Sequence, residues 1–252
     1  MDAGLFDSML AERAARRPFA VVTRLRDGAQ ALVCEDSVRG DLVLDDAQLD
    51  ETRRRTLADR SGALEGAGER ADEALFVRCH ARPPRLVVVG AVHITQALAP
   101  MAAMAGFEVH VIDPRRAFAA AERLPGVSVS TEWPDEAIRR IGIDARTAVV
   151  TLSHDPKLDD PALIAALRSR AFYIGALGST RTHARRVARL SEAGLGDAIG
   201  RIHAPVGLDL GGRAPVEIAV AIVAQLIRAR YAKPAQEPAQ EPASAAGSAR
   251  AA

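Results

Sequence analysis

RLVVVGAVHITQALAPMAAMAGFEVHVID, residues 85–113, carries the strongest fold signal in the chain. It opens with an uninterrupted apolar strand, Arg85–Val89, which ends at Gly90 and is followed by a helix-like stretch rich in alanine. A second strand, Phe107–Ile112, ends at Asp113. Strand, helix and strand at this spacing predict a right-handed crossover between two parallel strands.

The same alternation continues towards the C-terminus. The further predicted strands are Val127–Ser130, Ala145–Thr151 and Ala171–Ala176, and the further helices are Pro134–Arg140, Pro161–Arg168, Thr180–Ala193 and Pro215–Tyr231. Five or six strands alternating with helices are typical of open parallel sheets, so we expect a Rossmann-like, doubly wound α/β domain. Pro100 lies inside the first helix and is expected to kink or restart it.

The stretch before this domain predicts a small β-rich α+β domain. Asp27-Gly28 separates two short strand-like runs and tolerates the positive φ of a tight hairpin. The predicted elements are strands at Phe19–Leu25, Gln30–Cys34 and Ala74–Cys79, a further candidate strand at Asp41–Leu44, and a charged helix at Ala47–Arg60. The pair Pro83-Pro84 resists both helix and sheet and is expected to separate the two domains.

The predicted boundaries are residues 1–82 for the N-terminal domain, 83–231 for the Rossmann-like domain and 232–252 for a tail. The tail repeats Pro-Ala-Gln-Glu and then consists mainly of Ala and Ser. Because it has no apolar periodicity to bury, we expect it to be disordered.

Composition and charge exclude several classes of protein. Apolar residues make up 48% of the chain and charged residues 26%, which is a globular composition. The net charge of +1 argues against a polybasic mode of binding to nucleic acid or to a membrane. The apolar runs are too short to cross a bilayer and the acidic start lacks the apolar core of a secretory signal, so a cytoplasmic location is expected.

The cysteines and histidines do not indicate a metal site. Cys34 and Cys79 alone cannot form a disulfide framework or a four-thiolate site, and the six histidines show no ligand spacing. Cys34 is interpreted as a core residue of a strand, and a sulfur-handling thiol is the alternative.

The turn after the first strand of the Rossmann-like domain has the position of a dinucleotide-binding loop. Gly90 begins it, and Asp113 lies where a ribose-binding carboxylate is expected. Val92 replaces the glycine that lets backbone approach a pyrophosphate, and its branched side chain disfavours positive φ. Two hypotheses stay open: a Rossmann scaffold that has lost its phosphate loop, which we favour, and NAD(P) binding.

A second polar turn, Ser153-His154-Asp155, follows a buried strand. It lies at the edge where open α/β sheets bind ligands, so it brings a hydroxyl, an imidazole and a carboxylate to the crevice. His154 is a candidate general base or hydrogen-bond donor to an anionic ligand. In the structural alternative, Asp155 only forms a turn and Asp160-Pro161 starts the next helix.

A third turn, Gly178-Ser179, leads into a basic helix. Two glycines, a capping serine and helix amides form an anion site in principle, and Arg181 is close enough to assist. The helix also carries Arg185, Arg186 and Arg189. The alternative is an ordinary solvated basic face, which we favour for Arg185 and Arg189.

The last turn, PVGLDLGG at residues 205–212, is glycine-dense. Gly207 permits a backbone path that other residues would not follow, and Asp209 is a candidate to point into the same crevice. The alternative is a long connector. The helix that follows is apolar nearly all round, so a second surface, supplied by a homodimer, is expected to bury part of it.

Five blocks of the sequence, taken in order, resemble the XdhC/CoxI family. The blocks are LVVVGAVH at 86–93, VIDPR at 111–115, LSHD at 152–155, YIGALGSTR at 173–181 and PVGLDLG at 205–211. The resemblance covers roughly residues 85–231. Members of this family are accessory factors for molybdenum hydroxylases such as xanthine dehydrogenase and carbon monoxide dehydrogenase.

The resemblance implies a non-catalytic chaperone that binds the molybdenum cofactor (molybdopterin) transiently. Such a chaperone protects the cofactor during sulfuration and helps insert it into an apo molybdenum hydroxylase, and a cysteine desulfurase is a further expected partner. The alternative function is an NAD(P)-dependent oxidoreductase. The cofactor-binding residues assigned in this way are Gly90, His93, Asp113, Arg115, Ser153, His154, Asp155, Gly178, Ser179, Arg181, Gly207 and Asp209.

The sequence departs from the family pattern in three places. Val92 stands where the family has its middle loop glycine, and Ala214-Pro215-Val216-Glu217 replaces the usual Thr-Pro-Glu-Glu at the start of the last helix. The family's Gly-Gly-Cys block has no counterpart in Asp36–Asp46. A thiol contact to the cofactor is therefore not carried over to this chain.

Overall fold

The computed structural model describes residues 2–64, 74–119 and 123–232. The chain divides into two units, Met1–Pro83 and residues 84–252. The predicted tail lies outside the described residues from residue 233 onward. Among the described residues, no helix has both the length and the apolar character needed to cross a membrane.

The first unit consists of an antiparallel sheet and helices, as the β-rich α+β prediction requires. Its strands are β1 (Phe19–Arg24), β2 (Gln30–Val33), β3 (Val38–Gly40), β4 (Gly62–Ala63) and β5 (Leu75–His80), and its helices are α1 (Ala3–Ala14) and α2 (Asp46–Ala58). The strand order is β3-β2-β1-β5-β4. β1 and β2 form the predicted hairpin, with Gly28 at φ +76° in its turn.

The predicted strand at Asp41–Leu44 is wrong. The ladder ends at Gly40, whose φ of +125° turns the chain, and a Cβ at this position would lie 2.1 Å from the Gln30 carbonyl oxygen. The amides of Asp41 and Leu42 then both donate to that same oxygen. The turn therefore uses the backbone donors that a longer strand would have needed.

The second unit is a parallel sheet with helices on both faces, which confirms the predicted Rossmann-like fold. Its strands are β6 (Arg85–Val89), β7 (Glu108–Ile112), β8 (Ser128–Ser130), β9 (Thr147–Thr151), β10 (Tyr173–Ala176) and β11 (Ile202–His203). Its helices are α3 (His93–Met104), α4 (Pro134–Ile141), α5 (Pro156–Leu167), α6 (Thr180–Glu192) and α7 (Pro215–Tyr231). The order β11-β10-β9-β6-β7-β8, with every neighbouring pair parallel, reverses between β6 and β9. Ligands bind at such a reversal in open α/β sheets.

Side-chain alternation along β6 divides the core of this unit into two layers. Leu86 and Val88 pack with α3 and α7, whereas Val87 and Val89 pack with α4, α5 and α6. All four side chains are fully buried, and each contributes about 1.5–3 kcal/mol by leaving water. Their burial fixes β6 at the centre of the sheet and thereby positions the turn that follows it.

Helix α5 begins at Pro156, five residues before its predicted start at Pro161. The Asp155 carboxylate caps it by accepting from Lys157 N at 2.9 Å, and Pro156 takes the first helical position, where no N–H is needed. Pro161 consequently lies inside the helix. Pro100 also lies within α3, which continues past it to Met104, so of the two expected effects, a kink or a restart, the restart does not occur.

Candidate functional site

The carboxyl-terminal edge of the parallel sheet collects the polar turns that the sequence singled out. Each of these turns follows a strand of the same parallel sheet, and the carboxyl ends of parallel strands share one edge. The residues are Gly90 and His93 after β6, Asp113 and Arg115 after β7, Ser153, His154 and Asp155 after β9, Gly178, Ser179 and Arg181 after β10, and Gly207 and Asp209 after β11. The fold thus places all five turns on one edge.

Gly90 packs directly against the turn after β9. Its φ is +107°, and a Cβ built on it would lie 2.8 Å from Ser153 N. Real side chains do not approach backbone so closely, so only glycine fits this position. The buried Thr95 hydroxyl donates to Gly90 O and joins the turn to the first turn of α3. Gly90 therefore allows the two halves of the sheet to meet at the point where the strand order reverses.

Helix α3 begins without a side-chain cap. Its N-cap residue is Val92, at φ −87°, and this side chain makes no capping hydrogen bond. Since that φ is ordinary for a branched residue, valine causes no backbone strain in the loop. The exposed His93 follows. The first-turn amides of α3 keep their partial positive charge, which favours an anion at this end of the helix.

Asp113 is fully buried, and its carboxylate is engaged within the protein. Oδ2 accepts from Ala91 N and from Arg115 Nη2, each at 2.8 Å, and Oδ1 accepts from Arg115 N at 3.0 Å and Nε at 2.9 Å. Burial alone would raise the pKa of Asp113, but these hydrogen bonds outweigh it and hold the pKa below its ordinary value. The carboxylate joins the turn after β6 to the turn after β7. A ribose would have to compete with Arg115 for both oxygens.

The Ser153 hydroxyl organises the turn after β9. It donates to Asp159 Oδ1 at 2.7 Å and accepts from Asp155 N at 3.1 Å. His154, between Ser153 and Asp155 in the chain, has a φ of +61°, which is uncommon for a residue other than glycine. Its side chain is exposed. Because Ser153 bonds to a carboxylate and not to an imidazole, this turn does not form the serine–histidine pair of a nucleophilic enzyme. The imidazole of His154 is therefore exposed at the carboxyl-terminal edge of the sheet.

The turn after β10 ends at the N-terminus of α6. The Ser179 hydroxyl caps the helix by accepting from Thr182 N at 3.3 Å. Gly178 precedes it at φ +139°, and a Cβ there would lie 3.0 Å from Thr182 Cγ2. The Arg181 side chain, in the first turn of the helix, is exposed. Helix amides together with a nearby arginine are the groups that hold phosphate or carboxylate in proteins.

Two buried charged side chains beside these turns are absent from the predicted site. Asp159 of α5 and Arg186 of α6 are each 2% exposed. Arg186 Nη2 donates to Leu177 O at 2.8 Å, whereas its Nε and Nη1 have no hydrogen-bond partner within the described chain. Burial raises the pKa of Asp159 and lowers that of Arg186. The sequence signal for Arg186 is its spacing of four residues from Leu190, which shares its helix face and is buried.

The basic face of α6 is only partly solvated. Arg185 is exposed, as expected. Arg189, however, forms a two-point ion pair with Asp160 of α5, with Nη2 and Oδ1 at 3.0 Å and a second bond from Nε to Oδ2. The expectation of a solvated Arg189 is wrong, because α5 and α6 pack together and bring the two side chains within reach.

The turn after β11 is anchored to α7 at Gly207. Gly207 N donates to Gln225 Oε1 at 2.8 Å, and the buried Tyr173 hydroxyl donates to the same oxygen. Asp209 is exposed, and its carboxylate accepts from Gly211 N at 3.3 Å. The beginning of this turn is therefore fixed to the sheet and to α7, while Asp209 lies at the surface.

Helix α7 packs on α3 along one face and leaves apolar side chains uncovered along another. Its entry is capped by the Glu217 carboxylate, which accepts from Arg213 N and Ala214 N, both at 2.9 Å. The exposed apolar residues of the helix are Val216, Val220, Ile227 and Tyr231. In this unit they form an apolar surface without a cover among the described residues.

The two cysteines are free thiols in the first unit. Cys79 lies in β5 and is buried, and Cys34 follows β2 and is half-buried. Burial raises the pKa of both thiols, which disfavours the reactive thiolate. In the part of the chain that the structure describes, no group of three or more His, Cys, Asp or Glu side chains is placed to hold a metal ion.

Comparison with known proteins shows which family this chain is similar to. The family described as the XdhC Rossmann domain matches residues 86–226. The molybdenum cofactor insertion chaperone PaoD of Escherichia coli (strain K12) is 33% identical over 147 residues, which are 58% of this chain and 40% of that protein. A probable xanthine dehydrogenase subunit of Bacillus subtilis (strain 168) is 31% identical over 157 residues, 62% of this chain and 46% of that protein.

The chain spans less than half the length of these curated relatives. An uncharacterized Escherichia coli (strain K12) protein, YqeB, is 29% identical over 162 residues, 64% of this chain and 30% of its own length. Among solved structures, a xanthine dehydrogenase from Bacillus halodurans superposes with a TM-score of 0.68 at 21% identity, covering 90% of this chain and 66% of that one. At this identity the likeness is one of fold.

Proposed function

Since this chain belongs to the XdhC Rossmann-domain family, we propose that it is a non-catalytic chaperone that delivers the molybdenum cofactor to an apo molybdenum hydroxylase. The family resemblance seen in the five sequence blocks is confirmed by the match over residues 86–226. The names of two relatives, a molybdenum cofactor insertion chaperone and a probable xanthine dehydrogenase subunit, support the proposal.

One observation supports the proposal most strongly: the N-terminus of α6, with its first-turn amides and an exposed arginine, lies at the carboxyl-terminal edge of the sheet. Ser179 occupies only one of the helix's free amides, that of Thr182, and the exposed Arg181 lies in the same first turn of the helix. The molybdenum cofactor carries a phosphate, which such amides and an arginine hold by charge-assisted hydrogen bonds. Preformed donors of this kind bind an oxyanion without performing chemistry on it, and this suits a carrier.

The turns next to α6 supply the remaining groups of the proposed cofactor-binding site. His154 and Asp209 are exposed polar residues in the turns on either side of the α6 N-terminus. His93 is an exposed polar residue at the start of α3. Ser153 and Asp155 shape the turn that presents His154. Asp113 and Arg115 hold the Gly90 turn in place, and Gly178 and Gly207 permit the backbone paths of the last two turns. We assign these residues to cofactor binding as a set.

The rest of the proposal concerns how the cofactor is treated while it is bound and which proteins this chain interacts with. The chaperone binds the cofactor transiently, protects it during sulfuration by a cysteine desulfurase, and serves an enzyme of the xanthine dehydrogenase or carbon monoxide dehydrogenase type in the cytoplasm. The exposed apolar face of α7 favours a homodimer, because an uncovered face of this kind gains free energy when a second copy covers it. Neither nucleic acid nor a membrane is a partner in this scheme.

The experiment that tests the proposal is an anaerobic binding titration of purified protein with molybdenum cofactor. Arg181→Ala is expected to weaken binding about tenfold or more, the loss of one charge-assisted contact of roughly 1.4 kcal/mol. Arg185→Ala is the matched control, since Arg185 lies on the same helix and is exposed, and it is expected to bind as the wild type does. Equal affinity in both variants would remove the α6 N-terminus from the assignment.

The second candidate is an NAD(P)-dependent oxidoreductase. The strand order and the position of Asp113 after β7 favour it. Against it, Arg115 and Ala91 already occupy the Asp113 carboxylate, and Val92 stands where backbone would approach a pyrophosphate. Calorimetric titration with NAD, NADP and their reduced forms is expected to show no saturable binding. Saturable binding of any of these nucleotides would favour the oxidoreductase instead.

A further inference from the structure

A buried arginine lies behind the turn that leads into α6. Arg186 is in the second turn of that helix and is 2% exposed. Its Nη2 is 3.7 Å from the position that a Cβ on Gly178 would take. This is an ordinary van der Waals distance, so the guanidinium lies against the turn at Gly178. The charge therefore lies beside the turn that leads into the proposed anion site.

This guanidinium is short of hydrogen-bond partners. Nη2 donates to Leu177 O at 2.8 Å, but Nε and Nη1, which carry three N–H hydrogens between them, have no partner within the described residues. An arginine stays charged in a protein interior. Leaving charged donors unpaired in such a place costs free energy, and an oxyanion would recover it.

The nearby carboxylate of Asp159 does not supply the hydrogen bonds that Arg186 lacks. Asp159 is also 2% exposed and attracts Arg186 electrostatically, but its Oδ1 accepts from the Ser153 hydroxyl. A second buried polar group also lacks a hydrogen-bond partner. The Thr151 hydroxyl, at the end of β9, is fully buried and has no partner in the part of the chain that the structure describes. Strand alternation places Thr151 on the face of Val149, the face that α5 and α6 cover.

We propose that Arg186 is a further ligand-binding residue, which contacts a phosphate-class oxyanion held at the N-terminus of α6. This rests on the proposed function and deepens it, because it names a phosphate monoester or diphosphate as the group that this site recognises. A tetrahedral phosphate has oxygens for both sets of donors. The first-turn amides of α6 and Arg181 bind from the solvent side, and Arg186 binds from the protein side.

The test is a calorimetric titration with inorganic phosphate and, separately, with pyrophosphate. Arg186→Gln is expected to weaken binding of at least one of them about tenfold or more, whereas the matched control Arg185→Gln, one residue away and exposed, stays within about twofold of the wild type. The two probes separate recognition of a monoester from recognition of a diphosphate. Unchanged affinity in Arg186→Gln, or no binding of either probe by the wild type, would overturn the proposal.

A second measurement keeps the test valid if Arg186→Gln does not fold. The wild-type Nε–H resonance of Arg186, identified by its loss in Arg186→Lys, is expected to shift during the same phosphate titrations, and a resonance that does not move would overturn the proposal.

The two proposals fail in different ways. If phosphate binds through Arg186 but the molybdenum cofactor does not bind at all, the proposed function fails and the assignment of Arg186 stands. If the cofactor binds equally to wild type and Arg186→Gln, the assignment of Arg186 fails and the proposed function stands.

Discussion

Gly90 and Ser153 are in contact across the point where the strand order reverses: a Cβ on Gly90 would lie 2.8 Å from Ser153 N and 2.9 Å from Ser153 Cα. The two residues follow the paired strands β6 and β9. This contact sets the spacing between the two halves of the sheet at its carboxyl-terminal edge. Residues on both turns therefore depend on a glycine at position 90.

Replacing Gly90 with alanine is expected to lower the free energy of unfolding by about 2–4 kcal/mol, because the added Cβ meets Ser153 backbone at a positive φ. Urea unfolding followed by circular dichroism measures the loss. Gly106→Ala is the control, since Gly106 also has a positive φ, +87°, but no atom within 4 Å of its Cβ position, and only about 1 kcal/mol is expected there. Equal losses in both variants would show that the contact with Ser153 contributes nothing.

Replacing Asp113 with asparagine is expected to lower the free energy of unfolding by about 2–4 kcal/mol at pH 7, because it breaks a buried, charge-assisted set of hydrogen bonds to Arg115 and Ala91. The same urea experiment measures it. Asp135→Asn, which affects an exposed pair with Arg139, is the control and is expected to change stability by less than about 1 kcal/mol. A loss of that small size for Asp113→Asn would show that the hydrogen bonds from Arg115 and Ala91 to Asp113 do not stabilise the fold.

The stability contributed by Asp113 is expected to depend on pH in a definite direction. Its pKa is depressed in the folded protein, so its contribution is complete above the unfolded value of about 4 and is lost as the pH falls through the folded pKa. The stability difference between wild type and Asp113→Asn should therefore be constant from pH 7 to about pH 5 and shrink in more acidic solution. A difference that grows as the pH falls would contradict this expectation.

Asp159 is expected to behave in the opposite way. Burial raises its pKa in the folded protein, so the ionised carboxylate opposes folding at pH 7 and the penalty disappears as the pH falls below the unfolded pKa. Asp159→Asn should therefore be at least as stable as the wild type at pH 7, and the two should converge near pH 4 in a series of urea unfolding curves. A variant that is clearly less stable at pH 7 would show that Asp159 is stabilised as an anion.

Replacing Tyr173 with phenylalanine is expected to lower the free energy of unfolding by about 1–2 kcal/mol, because the buried hydroxyl that donates to Gln225 is lost. Since Gly207 N donates to the same Gln225 oxygen, its amide should also exchange faster with solvent. Hydrogen exchange and urea unfolding measure the two effects. Tyr231→Phe, at a 68% exposed position, is the control. If both tyrosine variants behave alike, the Gln225 network does not fix the turn after β11.

The turns on the carboxyl-terminal edge of the sheet could be predicted from the sequence because the pattern that marks them is local. An apolar run followed by a glycine or an acidic residue marks β6 with Gly90 and β7 with Asp113, and parallel topology then places these turns on one edge. The Asp27-Gly28 hairpin was predictable for the same reason, since its geometry is set by two adjacent residues.

Features that depend on packing between distant segments could not be predicted in this way. Asp155-Pro156 and Asp160-Pro161 are equally good helix starts by local rules, and the hydrogen bond from Ser153 to Asp159 exists only once the first of them is used. The burial of Arg186 depends on α6 packing against the sheet, and local composition suggests a solvated residue instead. The strand β11 has two residues and no pattern to recognise.

The most direct test of the central claim is a crystal structure of the protein with molybdenum cofactor bound under anaerobic conditions. We expect density for the cofactor phosphate at the first-turn amides of α6, within hydrogen-bond distance of Arg181 and Arg186. A cofactor bound elsewhere on the protein, with the N-terminus of α6 left empty, would contradict that claim.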